Sequence, residues 1–444
     1  MRLTVPEIKL VPNEGFSPEI DIFNRKDFGD RLYNLISNSN ENLVLALDAQ
    51  WGEGKSTFVK MWSNQNKHVQ TPPLETIYFD AFENDYQKDP FLALASEIYE
   101  LLDDKIESKK DEFKDKASQV FKTFSRGVIK AGIRVGTAGL IDGTILDEAE
   151  KDLSKLVSEQ VDTAIASKFE SSKLDKMALR NFKTFLSDIA TNYTEGKRIV
   201  FVIDELDRCR PDFALDLLEN IKHLFSVPGV TFLLVMNRHQ LEESVKCRYG
   251  AGIDSVTYLQ KFINVWLALP RASGKYQQDD GVQYLRTAIN LMKGEGAINN
   301  TTSFNILKSL VKYLKPSFRD IERILTYFAI IENSHNDAMN EYYQDMMAVV
   351  CFVKVMNPRL LDAVMNQRAG SQELLEELKL VKFLELSDEY ILENLAQEIE
   401  FDLASEERRQ QMIEEKIITM RHGRMPLNAL DYFYQALKNI QPVS

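Results

Sequence analysis

The chain sets a lysine and a hydroxyl directly behind two closely spaced glycines. The run is Ala49, Gln50, Trp51, Gly52, Glu53, Gly54, Lys55, Ser56, with Thr57 next. Gly52 and Gly54 let the backbone approach an anion with no Cβ in the way. Successive N–H groups of such a loop form an anion nest, and a helix starting at its end adds a positive dipole. Lys55 is then placed to reach β and γ phosphates, and the Ser56 hydroxyl to ligate Mg²⁺. Ala49 stands where glycine is commoner. The other reading of so short a motif is a surface turn. Context argues against it, since an apolar run precedes the loop and a helix-compatible run, Thr57 to Trp62, follows it.

A second group lies in Ile199 to Asp207, Ile-Val-Phe-Val-Ile-Asp-Glu-Leu-Asp. A buried strand ending in Asp204 puts a carboxylate at the sheet edge where α/β proteins bind ligands. There Asp204 suits Mg²⁺ held through water, and Glu205 suits a base that orients or activates an attacking water. Alone, the pair also reads as a solvated strand end. With the glycine loop it completes the parts that phosphoanhydride hydrolysis needs. Asn237, at the end of Val230 to Met236, suits either a γ-phosphate sensor or the cap of a helix starting near His239. Arg208 and Arg210 could stabilise phosphoryl charge in cis, act on a neighbouring subunit, or pair with Asp207 and Asp212. Arg238 offers a third cation at the sensor strand. Arg319 and Arg323 lie at i and i+4 behind a Pro316-Ser317 helix start, facing a bound nucleotide or solvent.

These side chains need a parallel sheet to bring them together. Leu43 to Asp48, Thr76 to Phe79, Arg198 to Ile203, Val230 to Met236 and Val265 to Leu269 are apolar runs of strand length, separated by helical patterns. The second and third are more than a hundred residues apart, too far for one crossover. Leu153, Leu156, Val157 and Val161 give that interval a helical period. The expected organisation is an α/β core from 1–100 and 180–270, a helical insertion at 101–179, and an all-helical lid or partner-binding half at 271–444. Within that half, helices are expected over Leu374 to Leu386 and Glu407 to Met420, and Met346 to Val353 reads as a core helix. Val128 to Leu146 is about long enough to span a bilayer, but Lys130, Arg134 and Asp142 interrupt it.

Composition narrows the class further. The 444 residues carry a net charge of −13, with 44 % hydrophobic residues, three cysteines and five histidines. Three cysteines without a Cys-x-x-Cys exclude a disulfide framework and a cysteine-rich zinc module. Net acidity argues against coating nucleic acid non-specifically, which takes an excess of Lys and Arg, and leaves room only for a local basic groove. The opening residues lack the apolar core of a signal peptide. The expectation is a cytoplasmic, reduced protein.

The combination of motifs resembles the KAP family of P-loop NTPases. The resemblance is carried by Val200 to Val245, by AQWGEGKST, by DIFNRKDFGDRLYNLI before it, by YLQKFINVWLALP after the sensor strand, and by SFRDIERILTYF. It spans roughly Asp21 to Phe328. It implies an additional-strand, AAA/STAND-like P-loop fold with a helical lid, and ATP with Mg²⁺ as ligands. Lys55 and Ser56 would meet phosphate and Mg²⁺, Asp204 and Glu205 would be the metal and catalytic carboxylates, and Asn237 the sensor. One departure is Phe79-Asp80-Ala81-Phe82-Glu83, where the family commonly shows an Asn and a Trp. Many members carry membrane helices between the loop and the Asp-Glu strand, whereas this chain reads as a soluble, bacterial member. The implied function is ATP hydrolysis driving a conformational or assembly change, in a setting such as antiviral defence, with self-association or a protein partner engaged through the helical parts. A slow nucleotide switch and a nucleic-acid motor are the competing expectations.

Overall fold

Five apolar runs become five parallel strands: β1 (Val44–Asp48), β2 (Glu75–Asp80), β3 (Ile199–Asp204), β4 (Val230–Met236) and β5 (Val265–Ala268). They stand side by side in the order β2-β3-β4-β1-β5. The computed structural model describes residues 1–6, 15–39, 41–68, 70, 74–87, 89–105, 109–121, 174, 176–193, 198–271, 279–294, 302–334, 340–380, 390–418 and 428–440. β3 and β4 are buried along their whole length because helices cover both faces of the sheet. On one face Leu45, Leu47, Val200, Val202, Leu233 and Val235 pack with α1 (Lys26–Ser37) and α2 (Lys55–His68) through Leu32, Ile36, Phe58, Val59 and Trp62. On the other, Phe79, Phe201, Ile203, Phe232 and Leu234 meet Pro90–Lys105 and α3 (Pro211–Asn220).

The strand order has a direct consequence for chemistry. β4 lies between β1 and β3, the additional-strand arrangement. All strands run the same way, so the loop after Asp48, the Asp204-Glu205 pair and Asn237 emerge along one edge.

Residues 122–173, including Val128 to Leu146 and the period from Leu153 to Val161, lie outside the described residues. On either side of them, 109–121 and 176–188 are helical and insert Phe113, Phe182 and Phe185 into the core beside the sheet. Among the described residues no helix is long and apolar enough to cross a membrane.

The C-terminal half has its own core. Its helices include α5 (Asp280–Lys293), α6 (Thr302–Leu314), α7 (Phe318–Ser334), α8 (Glu341–Met356), α9 (Tyr390–Leu403) and α10 (Ala429–Leu437), and α4 (Arg238–Tyr249) precedes them on the sheet. Met346 to Val353 is buried residue after residue, the core helix expected. Two other helices stop short of expectation. The one at Ser371–Glu377 gives way to Lys379 at φ +54°, and the one at Glu406–Glu414 to Lys416 at φ +56°. In the second case Ile417 and Ile418 turn their N–H groups back to the Met412 carbonyl, and Ile418 packs on Met412 and Phe401. Burying that isoleucine ends the helix early.

Asp402 ties this half together. It is 3 % exposed, and its carboxylate accepts the Tyr342 hydroxyl and the backbone N–H groups of Ala429 (2.9 Å) and Leu430 (3.0 Å). It thereby caps α10 from α9. Asp402→Ala should destabilise the helical half by about 2–4 kcal/mol, the sum of a lost cap and an orphaned hydroxyl. Chemical denaturation followed by far-UV circular dichroism checks this.

Candidate functional site

The turn from β1 into α2 takes the shape its glycines permit, with Gly52 at φ +76° and Gly54 at φ +78°. Lys55 opens α2 and folds back on the loop, its Nζ donating to the carbonyls of Ala49 (2.7 Å) and Gln50 (3.0 Å). Burial lowers the Lys55 pKa, against the pull of Asp207, Glu53, Asp204 and Asp48. The Trp51 indole N–H donates to Asp207 at 2.5 Å, tying the loop to the turn after β3.

Asp204 is 1 % exposed and well supplied with donors. Its Oδ1 accepts the Glu205 N–H and its Oδ2 the Tyr78 hydroxyl, each at 2.8 Å, and the Ser56 hydroxyl also bonds to it. Burial raises its pKa, and these three donors oppose the rise. A hydroxyl touching a carboxylate, with a cavity beside them, is a donor set that fits Mg²⁺ retaining most of its waters. Among the described residues no group of three or more His, Cys, Asp or Glu could cage a metal without such waters. Glu205 follows in the left-handed region, φ +57°, and pairs with Arg208 at 2.8 Å. Burial raises the Glu205 pKa, Arg208 opposes that, and Asp80, Asp204 and Asp207 add to it.

The helical half closes the site. Ser317 and Asp320 bond reciprocally at the start of α7, which sets Arg319 against the loop. A Cβ on Gly52 would lie 3.0 Å from the Arg319 Cβ and 3.1 Å from its backbone nitrogen. Beneath this contact lies Arg25, 3 % exposed. Its guanidinium donates to the Glu53 carbonyl (2.9 Å), stands 3.7 Å from Asp280 and covers the Phe23 ring. Burial lowers its pKa to about 10, partly offset by Asp280, Glu53 and Asp21. Its Nε and Nη2 have no hydrogen-bond partner among the described residues.

These groups surround a cavity of about 770 Å³, within the usual range for small-molecule sites. One end holds Gly52, Gly54, Lys55, Ser56, Asp204 and Glu205. The other is apolar and aromatic: Phe318 stacks on both Phe23 and Tyr284, at 4.7 Å in each case, and the Tyr284 hydroxyl donates to Glu322.

Of the residues expected at the site, Trp51 to Thr57, Asp204, Glu205, Arg208 and Arg319 line this one cavity. Ala49 and Gln50 line a neighbouring groove instead, and their carbonyls hold Lys55. Asn237 lines the same groove with Asp48 and Arg271, and its side chain caps α4 by accepting the Gln240 N–H at 3.3 Å. Arg238 pairs with Glu242 and covers Trp266. Arg210 pairs with neither Asp207 nor Asp212. The chain turns at Pro211 into α3, and Arg210 grips Asp85 beyond β2 through its backbone N–H (3.0 Å) and its guanidinium. Asp212 pairs with Arg248 instead, and Arg323 stands 3.9 Å from Asp320, outside the cavity. Sequence reasoning missed Arg25, Tyr78 and the aromatic end. The run Asp21 to Arg25 did hold a signal: the Asp21 carboxylate accepts the N–H groups of Arg25 and Lys26 and so starts α1.

The model of the KAP family P-loop domain matches residues 25–435. An uncharacterized protein of Methanocaldococcus jannaschii is 33 % identical over 170 residues, 34 % of this chain and 84 % of that one. Two solved Aeropyrum pernix structures are also similar. The ORC2 protein in its ADPNP–ADP complexes has a TM-score of 0.38 at 12 % identity, covering 98 % of this chain and 89 % of its own. The ORC1 protein in complex with DNA has a TM-score of 0.34 at 14 % identity, covering 94 % and 83 %.

Gly52→Ala should cost about 1–2 kcal/mol from its backbone conformation alone, and more because the new methyl meets Arg319. Placing the same change in an Arg319→Gly background removes the Cβ that the new methyl meets and leaves the backbone part. Gly52→Ala should therefore lower the melting temperature more in the wild-type chain than in that background, and equal losses would show that Arg319 does not press on the loop.

Proposed function

Since the chain belongs to the KAP family of P-loop NTPases, we propose that it binds ATP with Mg²⁺ and hydrolyses it, and that the cycle moves the helical half against the sheet. The observation that carries this reading is the joining of Lys55, Ser56, Asp204 and Glu205 at one end of a cavity that the helical half walls with Arg319. In this reading the triphosphate lies on the loop and the base at the aromatic end. Lys55 leaves the Ala49 and Gln50 carbonyls for the β and γ phosphates. Ser56 and Asp204 hold Mg²⁺, which when bound neutralises phosphate charge. Glu205 takes the proton of the attacking water, and Arg319 faces the transferring group. The Arg25 Nε, which makes no hydrogen bond among the described residues, gains an acceptor from the nucleotide. Antiviral defence is the setting that the family resemblance suggests for such a cycle.

A slow switch is the second reading, favoured by the Arg208–Glu205 ion pair. A base held by a guanidinium must be released before it works, and a partner that recruits Arg208 would set the rate.

Lys55→Ala should abolish tight ATP·Mg²⁺ binding in calorimetry, and an unchanged affinity would sink the loop assignment. Glu205→Gln should keep binding while turnover falls about 10²–10⁴-fold, the usual share of a general base; GTP serves as the comparison nucleotide in both assays.

Glu205 must be deprotonated to act, and its pKa is raised. Activity should therefore fall as pH drops through a value above that of an ordinary glutamate. Arg208→Ala removes the one opposing charge, so the acid limb of the pH–rate profile should move to higher pH. An unmoved limb would show that this carboxylate does not control the rate.

A further inference from the structure

Tyr78 reaches the Asp204 carboxylate from the neighbouring strand. In the β2–β3 register Tyr78 lies opposite Val202. Alternate residues of a strand share a face, so Val200, Val202 and Asp204 point to the α2 side, where Tyr78 packs as well. The ring passes Val202 and delivers its hydroxyl to Asp204 Oδ2 at 2.8 Å. From α2, Lys60 stands 5.2 Å from the ring centroid. Burial and the Asp204 charge both push the phenol pKa up, so the hydroxyl keeps its proton and donates. A phenylalanine would fill the same apolar space, so the hydroxyl serves the carboxylate rather than the packing.

What that bond does follows from the lone pairs it leaves. Oδ1 is engaged by the Glu205 N–H and Oδ2 by Tyr78, with Ser56 alongside. A carboxylate held in this way can accept from the waters of a hydrated cation. Turning it to clasp a cation with both oxygens would break these bonds. Mg²⁺ keeps several waters in a tight octahedron, whereas Ca²⁺ takes six to eight oxygens and often both from one carboxylate.

We propose that Tyr78 is a positioning residue that fixes Asp204 in a pose selecting Mg²⁺ over Ca²⁺ in the nucleotide complex. This rests on the reading of Ser56 and Asp204 as the metal site.

The test uses the full chain and Tyr78→Phe, with the affinity for a fluorescent ATP analogue measured without divalent metal and in Mg²⁺ and Ca²⁺ titrations. The variant should keep the wild-type metal-free affinity, with the melting temperature lowered only by the loss of one buried hydrogen bond. Its Mg²⁺ requirement should rise about 10-fold, the usual effect of losing a partner of a metal ligand, while its Ca²⁺ requirement stays level or falls. An unchanged Mg²⁺ requirement overturns the proposal. So does a parallel loss with both metals or a loss of metal-free affinity, either of which marks a structural role. The wild-type chain gives a test independent of the variant, because Ca²⁺ supporting binding as well as Mg²⁺ overturns the proposal outright. Binding that ignores both metals would instead overturn the Ser56–Asp204 assignment, and no binding at all the nucleotide reading itself.

Discussion

One buried guanidinium governs how the two halves of this chain can sit. Arg25 is enclosed where the N-terminal segment, the glycine loop and the helical half meet, and a buried charge is costly unless it is partnered. Its partners come from two distant stretches and from its own: the Glu53 carbonyl in the loop, Asp280 at the start of α5, and the face of nearby Phe23. Moving any one of them uncovers or strands the charge. The same junction is reinforced by Gln283 donating to the Ile22 carbonyl and by Phe23 stacking on Phe318. Any shift between the loop and the helical half has to break or replace these contacts, so a ligand on the loop is felt in the helical half.

The sheet supplies the other constraint. Inserting β4 between β1 and β3 separates those two strand ends by one strand, and the loop reaches back across the gap, with Ser56 on Asp204 and Trp51 on Asp207. The result is electrostatically lopsided. Asp48, Glu53, Asp204 and Asp207 all act on Lys55, while Arg208 and Arg25 are already engaged. A site so rich in carboxylates suits the proposed ligand, which brings its own cation.

The parts legible in the sequence were those whose chemistry is local. Gly52, Gly54 and Lys55 announce an anion loop because turn, nest and charge lie within a few residues. β1, β3 and β4 were legible because burial on both faces leaves continuous apolar runs, and β4 stands between β1 and β3 as the additional-strand fold of the resemblance implies. Side-chain partners were less legible, because they are set by contacts across the fold. Arg210 and Asp85 are 125 residues apart, and Tyr78 and Asp204 are 126 apart. No spacing rule would pair them. Asn237 shows the limit from the other side. A cap and a sensor ask for the same residue at the same strand end, and only geometry shows that its oxygen already serves the Gln240 N–H. Arg25 was overlooked because an arginine at a helix start ordinarily faces water.

Glu205 sits in a backbone conformation that favours glycine or asparagine. An acidic residue there is held against local preference by the strand behind it and the short turn ahead. Selection on stability alone would remove it. A lineage that no longer needed the carboxylate would gain stability by drifting to Gly or Asn at this one position, with the rest of the loop and sheet untouched. Under the role proposed for Glu205, the identity of the residue after the strand aspartate becomes, among relatives, a record of whether each branch depends on turnover or has kept only the grip.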